Sequence, residues 1–318
     1  STPSNSSAAS DVYKRQVHTF DKCFFMPSDL TAGLEYNRDR LKDNMWGYNR
    51  HTDQTVNIYS AFLQNEWKND RWGILIGGRL DKHNMVDNVI FSPRANLRFN
   101  PTQNINLRLS YSSGFRAPQA FDEDMHIENV GGTVAMIERA KDLKEEKSQS
   151  FSVSADMYHR FGAFQTNLLI EGFYTRLTDV FVLGKPYDRG DGILVKTRSN
   201  GPGAKVMGLT LEGKVAYLSI LQIQAGLTLQ RSRYDEPHKW HDDAPAEKKI
   251  FRTPDTYGYF TATCTPIKPL SIALSGTYTG RMLVQRMDIT AENAELGKMP
   301  ERKAEAIRTC LLYTSDAA

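Results

Sequence analysis

Hydrophobic and polar residues alternate with period two through most of this chain, the mark of strands whose two faces meet different surroundings. In 221–231, Leu221, Ile223, Ala225, Leu227 and Leu229 fall on one face, and Gln222, Gln224, Gly226, Thr228 and Gln230 on the other. In 105–116, Ile105, Leu107, Leu109, Tyr111 and Phe115 oppose Asn106, Arg108, Ser110, Ser112 and Arg116. Phe91, Ala95, Leu97 and Phe99 oppose Ser92, Arg94, Asn96 and Arg98, while Trp72, Ile74, Ile76 and Leu80 oppose Arg79 and Asp81. The same alternation runs through 30–36, 151–157, 164–174, 207–217 and 272–278, and less cleanly through 54–67 and 257–265. The pattern predicts about eleven strands and no helix.

A soluble sandwich alternates too, so the connections decide the class. Tight junctions are expected near Asn69 and Asp70, at 100–103, at Gly162 and Ala163, at Ser219 and Ile220, and at 266–269. Between them lie polar excursions at 82–90, 117–147, 184–204, 235–252 and from 287 onward. Short and long connections thus alternate, as in bacterial outer-membrane barrels, whose periplasmic turns are brief and outward loops long. Trp67, Trp72, Tyr111, Tyr174, Tyr217 and Tyr278 fall near strand ends, where interfacial girdles sit. Several strands exceed the ~9–11 residues needed to cross a bilayer and should project beyond it.

The two ends of the chain are set apart from this pattern. Residues 6–16 read SSAASDVYKRQ and residues 310–318 read CLLYTSDAA. With one choice of codons for the first, the reverse complement translates in a shifted frame into the second. The ends are thus one DNA sequence in two orientations, similar to a transposase sequencing adapter. Residues 1–16 and 310–318 are therefore read as adapter-derived and 17–309 as native barrel. Single-chain bacterial barrels close with an even strand number, and about eleven strands is half of the 22 of a plugged receptor barrel. The expected fold class is an all-β, antiparallel transmembrane barrel, present in part. Open edges in lipid would leave backbone groups unsatisfied, so the piece is not expected to fold natively alone.

Composition adds limits. Mean hydropathy is -0.50, and no apolar run approaches the ~18 residues of a transmembrane helix. A net charge of +3, scattered along the chain, gives no footprint for nucleic acid. Within 17–309 only Cys23 and Cys264 occur, too few and too distant for a disulfide framework. No nucleophile–base motif, zinc-protease motif or phosphate loop is present, so no enzyme, cofactor or resident metal is expected.

Ser92-Pro93-Arg94, followed by Ser110-Tyr111-Ser112-Ser113-Gly114-Phe115-Arg116-Ala117-Pro118-Gln119, resembles the barrel region of TonB-dependent receptors, where an SPR-type strand precedes a GFRAP-type strand and loop. FDEDMHI at 121–127, NLLIEGFYT at 167–175 and RSNG at 198–201 extend the resemblance to receptors of Bacteroidetes-type bacteria. The resemblance implies an outer-membrane importer of a scarce ligand: a ferric siderophore first, with haem or cobalamin as alternatives. It also implies energy from the TonB–ExbB–ExbD complex, reached through a plug domain outside this piece. Passive diffusion through a porin-like channel is one competing function. A soluble β-rich binding protein, such as a carbohydrate-binding sandwich, is another.

The candidate ligand contacts are Arg94, Arg98, Arg108 and Arg116, together with Asp122, Asp124, His126 and Trp240. By alternation the four arginines share one face and would form a cationic lumenal wall, able to attract an anionic ferric complex or acidic plug groups. The plainer reading is lumenal salt bridges. Asp122, Glu123, Asp124 and His126 carry oxygen and nitrogen donors that could ligate a metal at the start of the longest loop; the plainer reading is a hydrated acidic segment. His238, His241, Asp242 and Asp243 form a looser cluster of the same kind. Trp240, Tyr187, Met136 and Phe251 lie in outward loops, as gripping surfaces or as packing. Pro118 lacks a donor, so the strand before it should end there.

Overall fold

The computed structural model describes residues 4–45, 50–119, 128–130, 133–185, 187–190, 194–239, 245–267, 269–289 and 302–315, and every regular element among them is a strand. In chain order these are β1 (Ser4–Cys23), β2 (Met26–Met45), β3 (Arg50–Lys68), β4 (Trp72–His83), β5 (Ile90–Thr102), β6 (Ile105–Arg116) and β7 (Glu128–Val130). There follow β8 (Thr133–Arg139), β9 (Glu146–Phe161), β10 (Phe164–Thr178), β11 (Phe181–Leu183), β12 (Tyr187–Asp188) and β13 (Leu194–Asn200). The last six are β14 (Ala204–Tyr217), β15 (Leu221–His238), β16 (Glu247–Lys249), β17 (Thr256–Ile267), β18 (Leu270–Ile289) and β19 (Arg302–Ser315).

One 14-stranded sheet runs β1-β2-β3-β4-β5-β6-β9-β10-β14-β15-β17-β18-β19, with β16 added beside β15. Its strands meet in sequence order and pair antiparallel, tight turns alternating with longer connections. The eleven segments expected from alternation are β2, β3, β4, β5, β6, β9, β10, β14, β15, β17 and β18. The two flanking strands, β1 and β19, include residues set apart as adapter-derived. Gly162 turns β9 into β10 with φ 58, a left-handed conformation that costs glycine nothing. β6 stops at Arg116, two residues before Pro118, as the missing donor requires.

Cross-strand register turns the alternation into continuous faces. One row of partners passes through Trp67, Ile74, Leu97, Leu109, Val153, Gly172, Leu209 and Leu229. It starts beside the turn at the end of β3 and lies well inside β9, the stagger that strands acquire when a sheet curls into a barrel. This face exposes large apolar side chains, among them Leu63, Ile76, Leu80, Leu109, Val153, Leu209 and Leu229. The opposite face buries polar groups such as Ser60, Asp81 and Thr228. A soluble protein would invert that preference; a barrel wall in lipid requires it.

Aromatic side chains border the apolar face on both sides. Near the turns, Phe25 stacks on Trp67 at 5.7 Å, Trp72 on Phe99 at 4.3 Å, and Phe164 meets Tyr217 at 4.7 Å between centroids. Toward the loops, Tyr36 stacks on Tyr59 and Tyr111 meets Phe151, both at 4.8 Å. From Phe164 to Tyr174, strand geometry gives about 33 Å along the chain, or roughly 23 Å of height at the ~45° tilt of barrel strands, against an apolar band of about 25 Å. Strands such as β15 continue past this band on the loop side.

The long connections differ from expectation. The excursions at 117–147 and 184–204 are not plain polar loops: β7, β8, β11, β12 and β13 form a separate five-stranded sheet in which β8 and β13 run parallel. These strands are too short to display a period, and a parallel pairing between distant segments leaves no local trace in sequence. The connection between β4 and β5 is also tighter than the excursion expected there, since His83 already closes on the next turn.

Candidate functional site

The polar face would line the barrel interior, and its side chains gather into networks. Arg79 is the hub of the first. Its Nε donates to Asp81 Oδ1 at 2.8 Å, Nη1 to Glu35 Oε2 at 2.7 Å and Nη2 to Ser60 Oγ at 2.8 Å. Ser60 in turn donates to Asp81 Oδ1 at 2.6 Å. Asp81 is only 3% exposed, so its charge depends on this guanidinium and hydroxyl in place of water. A second network joins β14, β15 and β17. Tyr259 Oη donates to Glu212 Oε2 at 2.6 Å, while Gln224 Nε2 donates to Tyr259 Oη at 2.7 Å and to Glu212 Oε1 at 3.1 Å. A third lies at Asp156, which accepts from Tyr158 Oη at 2.9 Å and from Asn167 Nδ2.

The four candidate arginines share the polar face but do not form one patch. Arg98 and Arg108 are direct cross-strand partners near the turns. Arg98 folds over Gly73, its Nη2 is 3.4 Å from the Asn69 carbonyl, and its Nε is buried without a partner among the described residues. Arg108 Nε donates to Asn106 Oδ1 at 2.8 Å. Arg94 lies farther up β5 between Gly77 and Ser112. Arg116 sits at the loop end opposite Glu146, with its guanidinium carbon 5.7 Å from the centre of the Phe181 ring. Asp122, Glu123, Asp124, His126, Trp240, His241, Asp242 and Asp243 lie outside the described residues.

The loop sheet is tied to the wall by polar contacts. Arg139 Nη1 donates to the Pro118 carbonyl at 2.9 Å, the Phe181 amide to Glu146 Oε2 at 2.8 Å, and Asn200 Nδ2 to the Lys144 and Asp179 carbonyls at 3.0 and 2.8 Å. Met136 and Val195 are parallel partners and are buried, so Met136 packs and is not a gripping surface; Tyr187 is exposed. His83 Nδ1 accepts from the Met85 amide at 3.0 Å, which leaves Nε2 as the donor to Gln119 Oε1 at 3.2 Å and fixes the tautomer. On the projecting part of β15, burial pushes the His238 imidazole below its ordinary pKa and the Tyr234 hydroxyl above its own, where Glu146 adds to the effect.

The networks centred on Arg79, Glu212 and Asp156 were not singled out from sequence. The alternation placed Arg79 and Asp81 on one face, but their link to Glu35 depends on the pairing of β2, β3 and β4. Cys23 and Cys264 are free thiols and lie far apart in the strand order.

A family model described as TonB dependent receptor-like, beta-barrel, matches residues 1–288. Solved structures share the fold at low identity. The siderophore receptor PirA from Pseudomonas aeruginosa superposes with a TM-score of 0.66 at 16% identity, covering 97% of this chain and 57% of that one. The siderophore receptor PirA from Acinetobacter baumannii gives 0.65 at 16% identity, covering 96% and 48%. The ferric-catecholate import receptor Fiu from E. coli K12 gives 0.65 at 12% identity, covering 87% and 45%. The chain thus spans about half the length of these solved receptors. No curated protein sequence matches.

Proposed function

Because this chain belongs to the TonB-dependent receptor β-barrel family, a family of outer-membrane transport receptors and not of enzymes, we propose that it forms part of an importer for a ferric siderophore. Haem and cobalamin are the other ligands of the class. Uptake would draw on the TonB–ExbB–ExbD complex through a plug domain seated inside the barrel.

The observation that carries this reading is the pairing of Arg98 with Arg108 on the polar face, with no acidic partner for either among the described residues. Cations directly opposite one another repel, and they are tolerable where an anion sits between or above them. An acidic group of a plug or an anionic iron complex supplies that charge. Arg94 and Arg116 extend the cationic path toward the loop ends of their strands, and Asp122, Asp124, His126 and Trp240 are the further ligand contacts of this reading. Arginine suits such a path, since its planar fork binds oxyanions at two points and never loses its charge.

The test is uptake by cells. A strain lacking the complete gene should lose accumulation of one ferric siderophore and regain it with the wild-type gene, but not in a background without TonB. Accumulation that continues at the same rate without TonB would replace active import by passive diffusion.

A further inference from the structure

We propose that His83 is an acid-sensitive latch. Neutral, it ties the turn between β4 and β5 to the segment that follows β6; protonated, it lets that segment and the loop sheet behind it go. The residue is fully buried. Its Nδ1 accepts from the Met85 amide at 3.0 Å and its Nε2 donates to Gln119 Oε1 at 3.2 Å. One imidazole thus closes its own turn and reaches 36 residues along the chain. His83 follows Lys82, whose cross-strand partner Tyr59 belongs to the loop-side aromatic border. The ring therefore lies above the apolar band, outside the membrane.

Three pieces of chain converge on this ring. The turn that carries it is anchored to β3, where the Asn84 amide donates to the Asn57 carbonyl at 3.1 Å and Asn84 Nδ2 to the Thr55 carbonyl at 2.8 Å. The segment 117–119 leaves β6 in a tight turn of its own, with the Gln119 amide donating to the Ala117 carbonyl at 2.8 Å. β8 completes the group through Arg139, whose Nη1 donates to the Pro118 carbonyl at 2.9 Å and stands 3.9 Å from Met85 Sδ. Arg139 is also the last residue of β8 and the parallel partner of Arg198 on β13. The loop sheet is thereby tied to the same segment that His83 secures.

Only the neutral ring fits. A charged imidazole carries a proton on both nitrogens. Its Nδ1–H would face the Met85 N–H and leave that amide without an acceptor, and the cation would be shut away from water. The charged groups nearby do not rescue it. Asp81, two residues back on the same face, favours the cation, but its Oδ1 already accepts from Arg79 and Ser60. Arg139 on β8 is a like charge. Lys82 lies on the other face with its ammonium on the Val86 and Asp87 carbonyls, and Asp87 itself is exposed. The cross-strand neighbours on β3 and β2 are the uncharged Ile58 and Asn37. Burial accordingly pushes the His83 imidazole below its ordinary 6.5. The latch is complete above about pH 6.5 and is lost as pH falls through the lower folded value, because the released ring takes the proton first. Ordinary carboxylates and amines ionise outside this window. The other described histidines, His18, His51, His159 and His238, lie on β1, β3, β9 and β15, and none pairs with His83.

The test is amide exchange of the full-length receptor in micelles, read by mass spectrometry at about pH 7.5 and about pH 5.5 after correction for intrinsic rates. In wild type, peptides covering 117–119 and 133–139 should lose protection roughly five- to tenfold on acidification, the range set by one pH unit below the ordinary histidine value. His83→Gln keeps a donor and an acceptor but does not titrate, so protection should be equal at both pH values. Gln119→Glu offers a carboxylate to the charged ring, so protection should persist in acid. Heat-modifiable mobility on gels confirms that each variant is folded. A wild type without an acid response, His83→Gln with the wild-type response, or Gln119→Glu with an undiminished loss would each overturn the proposal. An equal loss over β9 and β10 would assign the effect to the whole barrel and overturn it as well.

Discussion

The hydroxyl of Tyr259 on β17 donates to Glu212 on β14 at 2.6 Å, reaching across β15 because Gly226 between them carries no side chain. A Cβ at Gly226 would stand 2.5 Å from the Tyr259 ring. Gly226→Ala should therefore push the ring aside and break the bonds to Glu212 and Gln224. Overpacking of this kind costs about 1–3 kcal/mol. Denaturant unfolding of the receptor in micelles should show a lower midpoint, and an unchanged midpoint would mean that the ring moves freely.

Arg79 holds the buried carboxylate of Asp81 while also reaching Glu35 and Ser60. Among the described residues, Arg79→Ala leaves Asp81 with only the Ser60 hydroxyl. Breaking a fully buried pair costs roughly 3–5 kcal/mol; because the Arg79 side chain is 37% exposed, solvent screening reduces this to about 2 kcal/mol. Removing Asp81 in the same background should recover part of the loss. A double variant as unstable as the sum of two singles would refute the coupling.

Charge reversal at Arg98 separates stability from transport. Arg98→Glu replaces a repulsive cross-strand pair with an attractive one opposite Arg108, a gain of about 0.2–1 kcal/mol. If the pair serves an anion, uptake should fall while thermal stability rises slightly. Uptake at the wild-type rate would remove these arginines from the transport path.

The projecting end of β15 should loosen in acid. Burial lowers the His238 pKa from its ordinary 6.5, so the folded strand disfavours the charged ring. Its stability is complete above about pH 6.5 and is lost as pH falls through the lower folded value, because the unfolded segment takes the proton first. Amide exchange at 232–238 should accelerate over that window, and His238→Gln should flatten the response. Exchange independent of pH after correction for intrinsic rates would count against it.

The terminal residues admit a direct check at the DNA level. If 1–16 and 310–318 are adapter-derived, genomic amplification reading outward from residues 17 and 309 should continue into coding sequence unrelated to either end. Recovering SSAASDVYKRQ before residue 17 would restore β1 as a native strand along its whole length.

Much of the wall was legible in the residues themselves. A strand places successive side chains on opposite faces, so Leu221, Ile223 and Leu227 declare a shared surface without any knowledge of a neighbour. Turn-forming Gly162 and the donorless Pro118 mark where pairing stops for equally local reasons. What the sequence could not decide is which residue of one strand faces which residue of the next. That register depends on turn geometry and on pairing between distant segments. Only the tertiary structure set Arg98 against Arg108, passed Tyr259 over Gly226 to Glu212, brought Gln119 to His83, and drew β8 and β13 into a parallel pair. The alternation of each strand is written in its own side chains; the chemistry of the wall arises between strands, where sequence distance carries no information about spatial distance.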